Sequence, residues 1–544
     1  MKKILTLILL LAAVSSAFSQ DQAKNKAFNE ITKHVIQGQM EFLASDWMEG
    51  RETGTKGAYM ASDYIASMFK AFGLKPGGDP VRSSNRGRRP SNPSGNIAKR
   101  TYFQNFNLLE FRPGDTQKCS LIDIFEGGYN AVHLNYGIDF TLTPGVQAVT
   151  VQSPVVFVGY GFKGEGYNDY ETVDVKGKII LRINGFPGHN NPDSKAYKKF
   201  SGDSPYARYM INRQKDEAAI QAGAAAIIDI SAGSSVRGDP SNVPFRYTDQ
   251  RTKYEGDEPF RTAPRVRLSF PDKSAQGITK INLSAKAMTQ LLDNIGLDIE
   301  AFEVQSQKLK TNSKVLENKV VNIETSVVTR LIQARNVIGI IEGKNPESCI
   351  VAGAHYDHLG TVRDFIYNGS DDNASGTVGI MTIAKAMVES GIQPEQTLVF
   401  CSWTAEEKGL IGSAYYADHP LIEDIKCYMN YDMISRVAPD DPNKNKCDFQ
   451  FTSTVPILKE LTENHIRDYN VNLDMKYKGS EVPAGGSDFS SFSRKGIPIF
   501  LLHGKFTPDY HQFTDHVEKA EWTYMRDIIR VGFLNLYELV NYNW

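Results

Sequence analysis

Five apolar runs of strand length, separated by helical or loop-like stretches, constrain most tightly what this chain can fold into. They are NVIGIIEG from Asn336, SCIVAGAHYD from Ser348, TLVFCSWTAEE from Thr397, CYMNYDMIS from Cys427 and IPIFLLHG from Ile497. Between the second and third, Val378, Met381, Ile383, Ala384 and Met387 recur at helical spacing over 376 to 388. Strands alternating with helices predict an α/β fold, a mixed and mostly parallel sheet sandwiched by helices. In such sheets ligands gather at the C-terminal ends of the strands.

The polar residues fall at those ends. One strand ends with His355, Asp357 and His358, a second with Glu406 and Glu407, and a third with Asp432. Two loops add Asp371, Asp372 and Asn373, and then Asp509, Tyr510, His511, Asp515 and His516. Carboxylates and imidazoles without thiolate suit a catalytic zinc-type site rather than a closed structural one. Two ions sharing one carboxylate need about this many ligands, so the residue set points to a di-metal centre. The five cysteines, at 119, 349, 401, 427 and 447, form no C-x-x-C pair. A bridge between Cys427 and Cys447 and buried free thiols both remain open.

At 544 residues the chain is long for one domain, and its formal net charge of −2 supplies no global field toward nucleic acid or an anionic membrane. Residues 1–19 carry Lys2 and Lys3, an apolar core and a small-residue pattern at Ala17-Phe18-Ser19, the layout of a secretory signal peptide. The expectation is an exported protein, periplasmic or secreted, with no stable membrane insertion. Helical periodicity marks 26 to 50 and 56 to 72, the latter closed by Gly73. The Gly-, Pro- and Ser-rich, basic stretch 77 to 100 reads as a surface loop; no aromatics interleave its arginines as a nucleic-acid site would require.

From about 130 to 315 the texture changes to short β runs bounded by glycines. VVFVGYG, DYETVDVKGKIILR and AAIQAGAAAIIDI resemble the protease-associated domain, a small α/β module. The motifs GAHYDHLG, GSDDNASG, WTAEEKGLIGS, NYDMIS, GGSDF and YHQFTDH, in that order, together with LASDWMEGRETGTKG near the N-terminus, resemble the co-catalytic di-zinc aminopeptidase family. Its wider superfamily includes glutamate carboxypeptidase II and the transferrin receptor. The resemblance implies a peptidase domain in two parts, 20–129 and 316–544, interrupted by a protease-associated insertion at 130–315. Oligomeric state is not implied.

Carried over by position, the resemblance implies two Zn2+ per chain. His355 and Asp432 complete one ion, Glu407 and His511 the other, and Asp372 bridges them. It also implies a cis peptide bond between Asp371 and Asp372, and Asp357 as the carboxylate that orients the His355 imidazole. Asp515 becomes a candidate support of the His511 loop. Glu406 is implied as the general base for a metal-bridging water that attacks a peptide carbonyl, and Tyr510 as the donor to the developing oxyanion. His503 and His358 receive no role. Where many relatives have Ser-Asp-His, this chain has Ser487-Asp488-Phe489, a position expected near the substrate channel. The implied activity is release of N-terminal residues from peptides. Glutaminyl cyclisation, acidic-dipeptide carboxypeptidase action and a non-catalytic, receptor-like binding role are the alternatives.

Overall fold

The structure, a computed structural model, describes residues 22–81, 99–201, 207–230, 266–273, 277–362 and 365–544. The expected signal segment 1–19 lies outside the described residues, as does most of the basic loop, 82–98. The chain divides into two compact units, one running to Phe106 and resuming at Gln333, the other spanning Asn107–Ile332. The inner unit is wider than the 130–315 stretch of altered texture. The long strands Phe103–Phe125 and Lys314–Ile341 each run across a boundary, and most of their length belongs to the inner unit.

The outer unit contains α1 (Lys33–Leu43), α2 (Lys56–Phe72), the end of β1 (Lys314–Ile341), β2 (Asn345–His355) and α3 (Gly376–Glu389). It continues through β3 (Gln396–Trp403), α4 (Ile411–Asp418), β4 (Asp424–Tyr431), β5 (Lys446–Thr452) and α5 (Ile457–Asp468). Then follow β6 (Asp474–Ser480), α6 (Phe489–Ser493), β7 (Ile499–His503) and α7 (Trp522–Leu539). Its strands lie in the order β6-β5-β7-β4-β2-β3-β1. β3, β2, β4 and β7 are mutually parallel, β1 and β5 join them antiparallel, and β6 runs parallel to β5. The sheet is therefore mixed and mostly parallel, and its four central strands open their C-terminal ends on one edge.

Both faces are covered, which explains the unbroken apolar runs. Side chains alternate across a strand. Ile350, Ala352, Leu398, Phe400, Met429 and Tyr431 face α1, α2, α3 and α7 in one core. Cys349, Val351, Val399, Cys401, Tyr428 and Ile499 face α4 and α6 in the other. Phe489 is buried in this second core beside Phe492, so it packs the scaffold rather than lining a channel. The ring stack of Phe492 on Tyr428, 3.8 Å between centroids, takes up the space of that layer.

α2 ends where the sequence predicts, with Gly73 left-handed at φ 92°. The expected periodicity from 26 to 50 does not give one helix. After α1 the chain makes a short 3₁₀ turn, Asp46–Arg51, in which Glu49, Gly50 and Arg51 are all left-handed. That conformation cannot continue a right-handed helix. All five cysteines are free and buried. No helix among the described residues is long and apolar enough to cross a membrane.

The inner unit has its own parallel strands, Thr150–Phe157, Ile179–Ile183, Ala226–Ile230 and Thr279–Leu283, in spatial sequence. Phe157, Leu181, Ile228 and Leu291 pack on one face and Val156, Ile180, Ile227 and Ala219 on the other.

Candidate metal centre

The residues singled out at the strand ends meet at the C-terminal edge of the outer unit's sheet. His355 is the last residue of β2, and Asp432 follows the last residue of β4. Glu406 and Glu407 lie in the turn after β3, and His511 lies in the loop after β7. Asp372 sits in the turn Ser370–Ser375 that enters α3.

Two turns are fixed by side chains from elsewhere. In the turn after β3, the Thr404 N–H donates to Asn336 Oδ1 (3.2 Å), the Ala405 N–H to Thr53 Oγ1 (3.0 Å) and the Glu406 N–H to Asp357 Oδ1 (3.0 Å). In the Asp372 turn, the N–H groups of Asp371 and Asp372 both donate to Asp515 Oδ2, at 2.9 and 3.2 Å. Asp371 Oδ1 accepts from the Ser435 amide and hydroxyl. The cis peptide bond lies at Asp372-Asn373, one bond later than the resemblance implied. The Asp371–Asp372 bond is trans, and the two successive amides share the Asp515 acceptor.

Asp372 is divided between two groups. Its Oδ1 is 3.4 Å from His355 Nε2, which is also 3.5 Å from Asp432 Oδ1. Its Oδ2 is 3.0 Å from His511 Nε2, which is also 3.2 Å from Glu407 Oε2. Ligands about 2.0–2.1 Å from a tetrahedral zinc stand roughly 3.3 Å apart, and the edges from His355 and from His511 to their carboxylates are close to that length. His355 Nδ1 is engaged by the Asp357 backbone carbonyl at 3.1 Å, and its buried Nε2 has no hydrogen-bond partner. A buried nitrogen left unpaired among carboxylates is what a ligand awaiting a cation presents. The residues present fit two zinc ions.

The electrostatics separate the neighbouring glutamates. Burial alone would raise Glu407, but His511 and the hydrogen bond from His358 outweigh it and hold its carboxyl well below the usual range. Burial raises Glu406 well above that range, opposed by His355 and reinforced by Glu407 and Asp488. Burial would lower His355 and His511; the surrounding carboxylates, Glu406 first for His355 and Glu407 first for His511, raise both instead. The cluster thus demands positive charge. Carboxyls driven in opposite directions by their surroundings are how acid–base and ligand roles become divided.

Glu406 stands off from the ligand trios, with Oε2 3.9 Å from His355 Nε2. Asp357 is placed differently from expectation. Its carboxylate is 3.9 Å from His355 Nδ1 and binds the Glu406 amide and the Thr53 hydroxyl, while its backbone carbonyl holds the imidazole. Asp515 supports the Asp372 turn from its position on the His511 loop. Tyr510 stacks on the His511 ring, 3.8 Å between centroids, and burial followed by the Asp372 and Glu407 charges raises its phenol well above the usual range.

Four residues without an assigned role also belong here. His358 Nδ1 lies 2.7 Å from Glu407 Oε1, its ring is buried, and it groups with Asp372 and Glu407 as a possible metal-holding trio. Its position three residues after His355 is the one signal the sequence offers. His503 Nδ1 contacts the Asp432 carbonyl at 2.6 Å. Asp488 is wholly buried with both carboxylate oxygens unpartnered, and burial pushes it up to about 7. Arg51, wholly buried, reaches the chain on either side of the centre.

The chain is similar to other proteins. Leupeptin-inactivating enzyme 1 of Streptomyces exfoliatus is 32% identical over 167 residues, which is 30% of this chain and 34% of that protein. An aminopeptidase from Aneurinibacillus sp. strain AM-1 superposes with a TM-score of 0.58 at 16% identity, covering 95% of both chains. A zinc aminopeptidase from Bacillus subtilis does so with a TM-score of 0.53 at 18% identity, covering 94% of this chain and 96% of that one. These two likenesses establish the fold. The chain spans 34% to 41% of the length of the first curated relatives it matches. The stretch that bears every candidate ligand, residues 336–533, matches the model of peptidase family M28.

Proposed function

We propose that this protein is a di-zinc aminopeptidase that releases N-terminal residues from peptides. The observation that carries the reading is the division of Asp372, one oxygen toward His355 and Asp432, the other toward His511 and Glu407. Those five side chains would hold two Zn2+. When bound, zinc supplies Lewis acidity, which polarises a carbonyl and brings the pKa of water from about 15.7 toward neutrality.

The protein's own groups do the rest. Glu406, beside the ligands but outside their shells, takes a proton from the attacking water and returns it to the leaving amine. The Asp357 carboxylate holds the Glu406 amide, and with it the base, at its station. Tyr510 donates from its phenol to the oxyanion, a contribution of roughly 10²–10³ in turnover for a donor of this kind. Its phenol stays protonated because burial first, and then the neighbouring carboxylates, disfavour a phenolate.

The remaining finer readings belong to the same proposal. Residues 130–315, within the inner unit, are a protease-associated insertion, and residues 1–19 direct export to the periplasm or beyond. The test uses the mature chain with a panel of aminoacyl-p-nitroanilides, N-terminal glutamine peptides and acidic dipeptides. Release from the aminoacyl panel, silencing by chelator, recovery with zinc and two zinc ions per chain are expected. Binding of one ion, or turnover confined to glutamine cyclisation or to acidic dipeptides, refutes it.

A further inference from the structure

Arg51 presents a problem that the ligand set alone does not resolve. Its guanidinium is wholly buried, and no carboxylate among the described residues lies within ion-pair distance of it. A buried charge is unfavourable unless its donors are bonded and its field is matched. All the bonds go to backbone carbonyls. Nε donates to Tyr356 O (2.7 Å), one terminal nitrogen to Leu43 O and Asn368 O (2.6 Å each), and the other to Gly369 O (2.8 Å).

The identity of those carbonyls matters. Tyr356 lies between His355 and Asp357, and Asn368 and Gly369 lead directly into the Asp372 turn. Burial lowers the Arg51 guanidinium, and the charges of Asp515, Asp357, Asp372 and Glu407 oppose that penalty only in part. Close packing confirms the intimacy of the segment. A Cβ on Gly50 would lie 2.4 Å from Gly360 O and 2.6 Å from Tyr367 O, and Gly50 is left-handed at φ 67°. The neighbouring Asp46 carboxylate and Ala44 carbonyl accept from the Asn368 amide at 2.7 and 2.8 Å. The N-terminal segment 44–53 is thus the floor on which the two ligand-bearing turns rest.

We propose that Arg51 is a positioning residue of the metal centre, tying the chain that follows His355 to the chain that leads into Asp372 and so fixing the spacing of two ligands of one ion. The proposal rests on the metal reading above. A planar fork with donors in fixed directions is required, because a lysine ammonium in the same place cannot span four carbonyls on three segments.

The test is zinc affinity of the full chain, measured by competition with a chromophoric chelator, for the parent, Arg51→Lys and Arg51→Met. Both variants are expected to bind zinc 10–100-fold more weakly, as for loss of an outer-sphere support, while still filling both sites at saturation. Leu458→Ala, in the core on α5, is the control for general destabilisation. It should lower Tm without changing zinc affinity. If Arg51→Met does not accumulate as folded protein, Arg51→Lys carries the test alone. Zinc affinity of Arg51→Lys within twofold of the parent overturns the assignment, as does an equal loss in Leu458→Ala. A parent that takes up no zinc overturns the metal reading and this assignment with it.

Discussion

Substituting one of two adjacent glutamates at a time tests the proposal that Glu406 is a base and Glu407 a ligand. Glu406→Gln is nearly isosteric and removes the proton acceptor. In the structure the ligand atoms of each trio stand 3.0 to 3.5 Å from the imidazole nitrogen they surround, whereas Glu406 Oε2 is 3.9 Å from His355 Nε2. Against a shell edge of roughly 3.3 Å it lies outside, so its loss should leave the zinc count at two. General-base catalysis is worth about 10²–10⁴ in rate, which at 1.36 kcal/mol per decade is about 3–5.5 kcal/mol of barrier. The expected result is kcat reduced by that factor with KM nearly unchanged. Glu407→Gln perturbs contacts at 3.2 Å to His511 and 2.7 Å to His358, and should lose zinc before activity is assayed. Metal content after gel filtration and steady-state kinetics on leucine-p-nitroanilide measure both. Glu406→Gln protein that loses zinc like Glu407→Gln, or keeps kcat within tenfold of the parent, refutes the division of roles.

Asp515→Ala leaves the buried amides of Asp371 and Asp372 without their acceptor and should weaken zinc binding about 10–100-fold by chelator competition, while Asp515→Asn, which keeps an amide oxygen, should lose less. Chelation of both ions from a site filled at about 1,000 times Kd should remove about 4 kcal/mol of stability per independent site, lowering Tm by several degrees in a thermal melt; zinc but not magnesium should restore it, since magnesium prefers octahedral oxygen shells. In the inner unit, burial would raise the Glu110 carboxyl, but the hydrogen bonds from Arg330 and Arg112 outweigh it and hold it below the usual range. A depressed carboxylate stabilises the fold above its unfolded pKa and loses that contribution as pH falls through the folded one. Glu110→Gln should therefore cost about 1.5 kcal/mol in urea melts at pH 7, the low end for a charge-assisted contact because Arg330 is half exposed, and show a shallower loss of stability below pH 4.5.

What the sequence disclosed depended on how locally each feature is encoded. The sheet was legible because its strands are buried on both faces and so read as unbroken apolar runs. α2 was legible because its stripe and its Gly73 cap lie within one short window. Three of the candidate ligands, His355, Glu407 and Asp432, were legible because each stands at or shortly after the end of its own strand. Support was not. Asn336, Thr53 and Arg51 act from 68, 352 and more than 300 residues away, through bonds to backbone groups that no spacing rule encodes. Asp357 was recognisable as important, yet its two functions are split between carbonyl and carboxylate, a distinction that depends on the backbone path alone. His358 stood beside a ligand with nothing in its type to separate it from a surface histidine.

The two glutamates show why such distant support is needed. Leaving a strand, consecutive side chains diverge, but divergence alone does not decide where either one points. Here Ala405 is left-handed at φ 57°, a conformation that an alanine adopts only when its surroundings impose it. Three consecutive amides, at 404, 405 and 406, are each held by a side chain from a different part of the chain: Asn336, Thr53 and Asp357. The carbonyls then run the other way, with Gly409 and Leu410 donating to Glu406 O and Ile411 donating to Ala405 O. With its backbone bonded on both sides, the turn has little freedom to rotate, so Glu407 faces His511 and His358 while Glu406 is left beside His355. Adjacent residues can therefore carry opposite pKa shifts and different tasks because the peptide units between them, rather than the side chains, are what the rest of the unit holds in place.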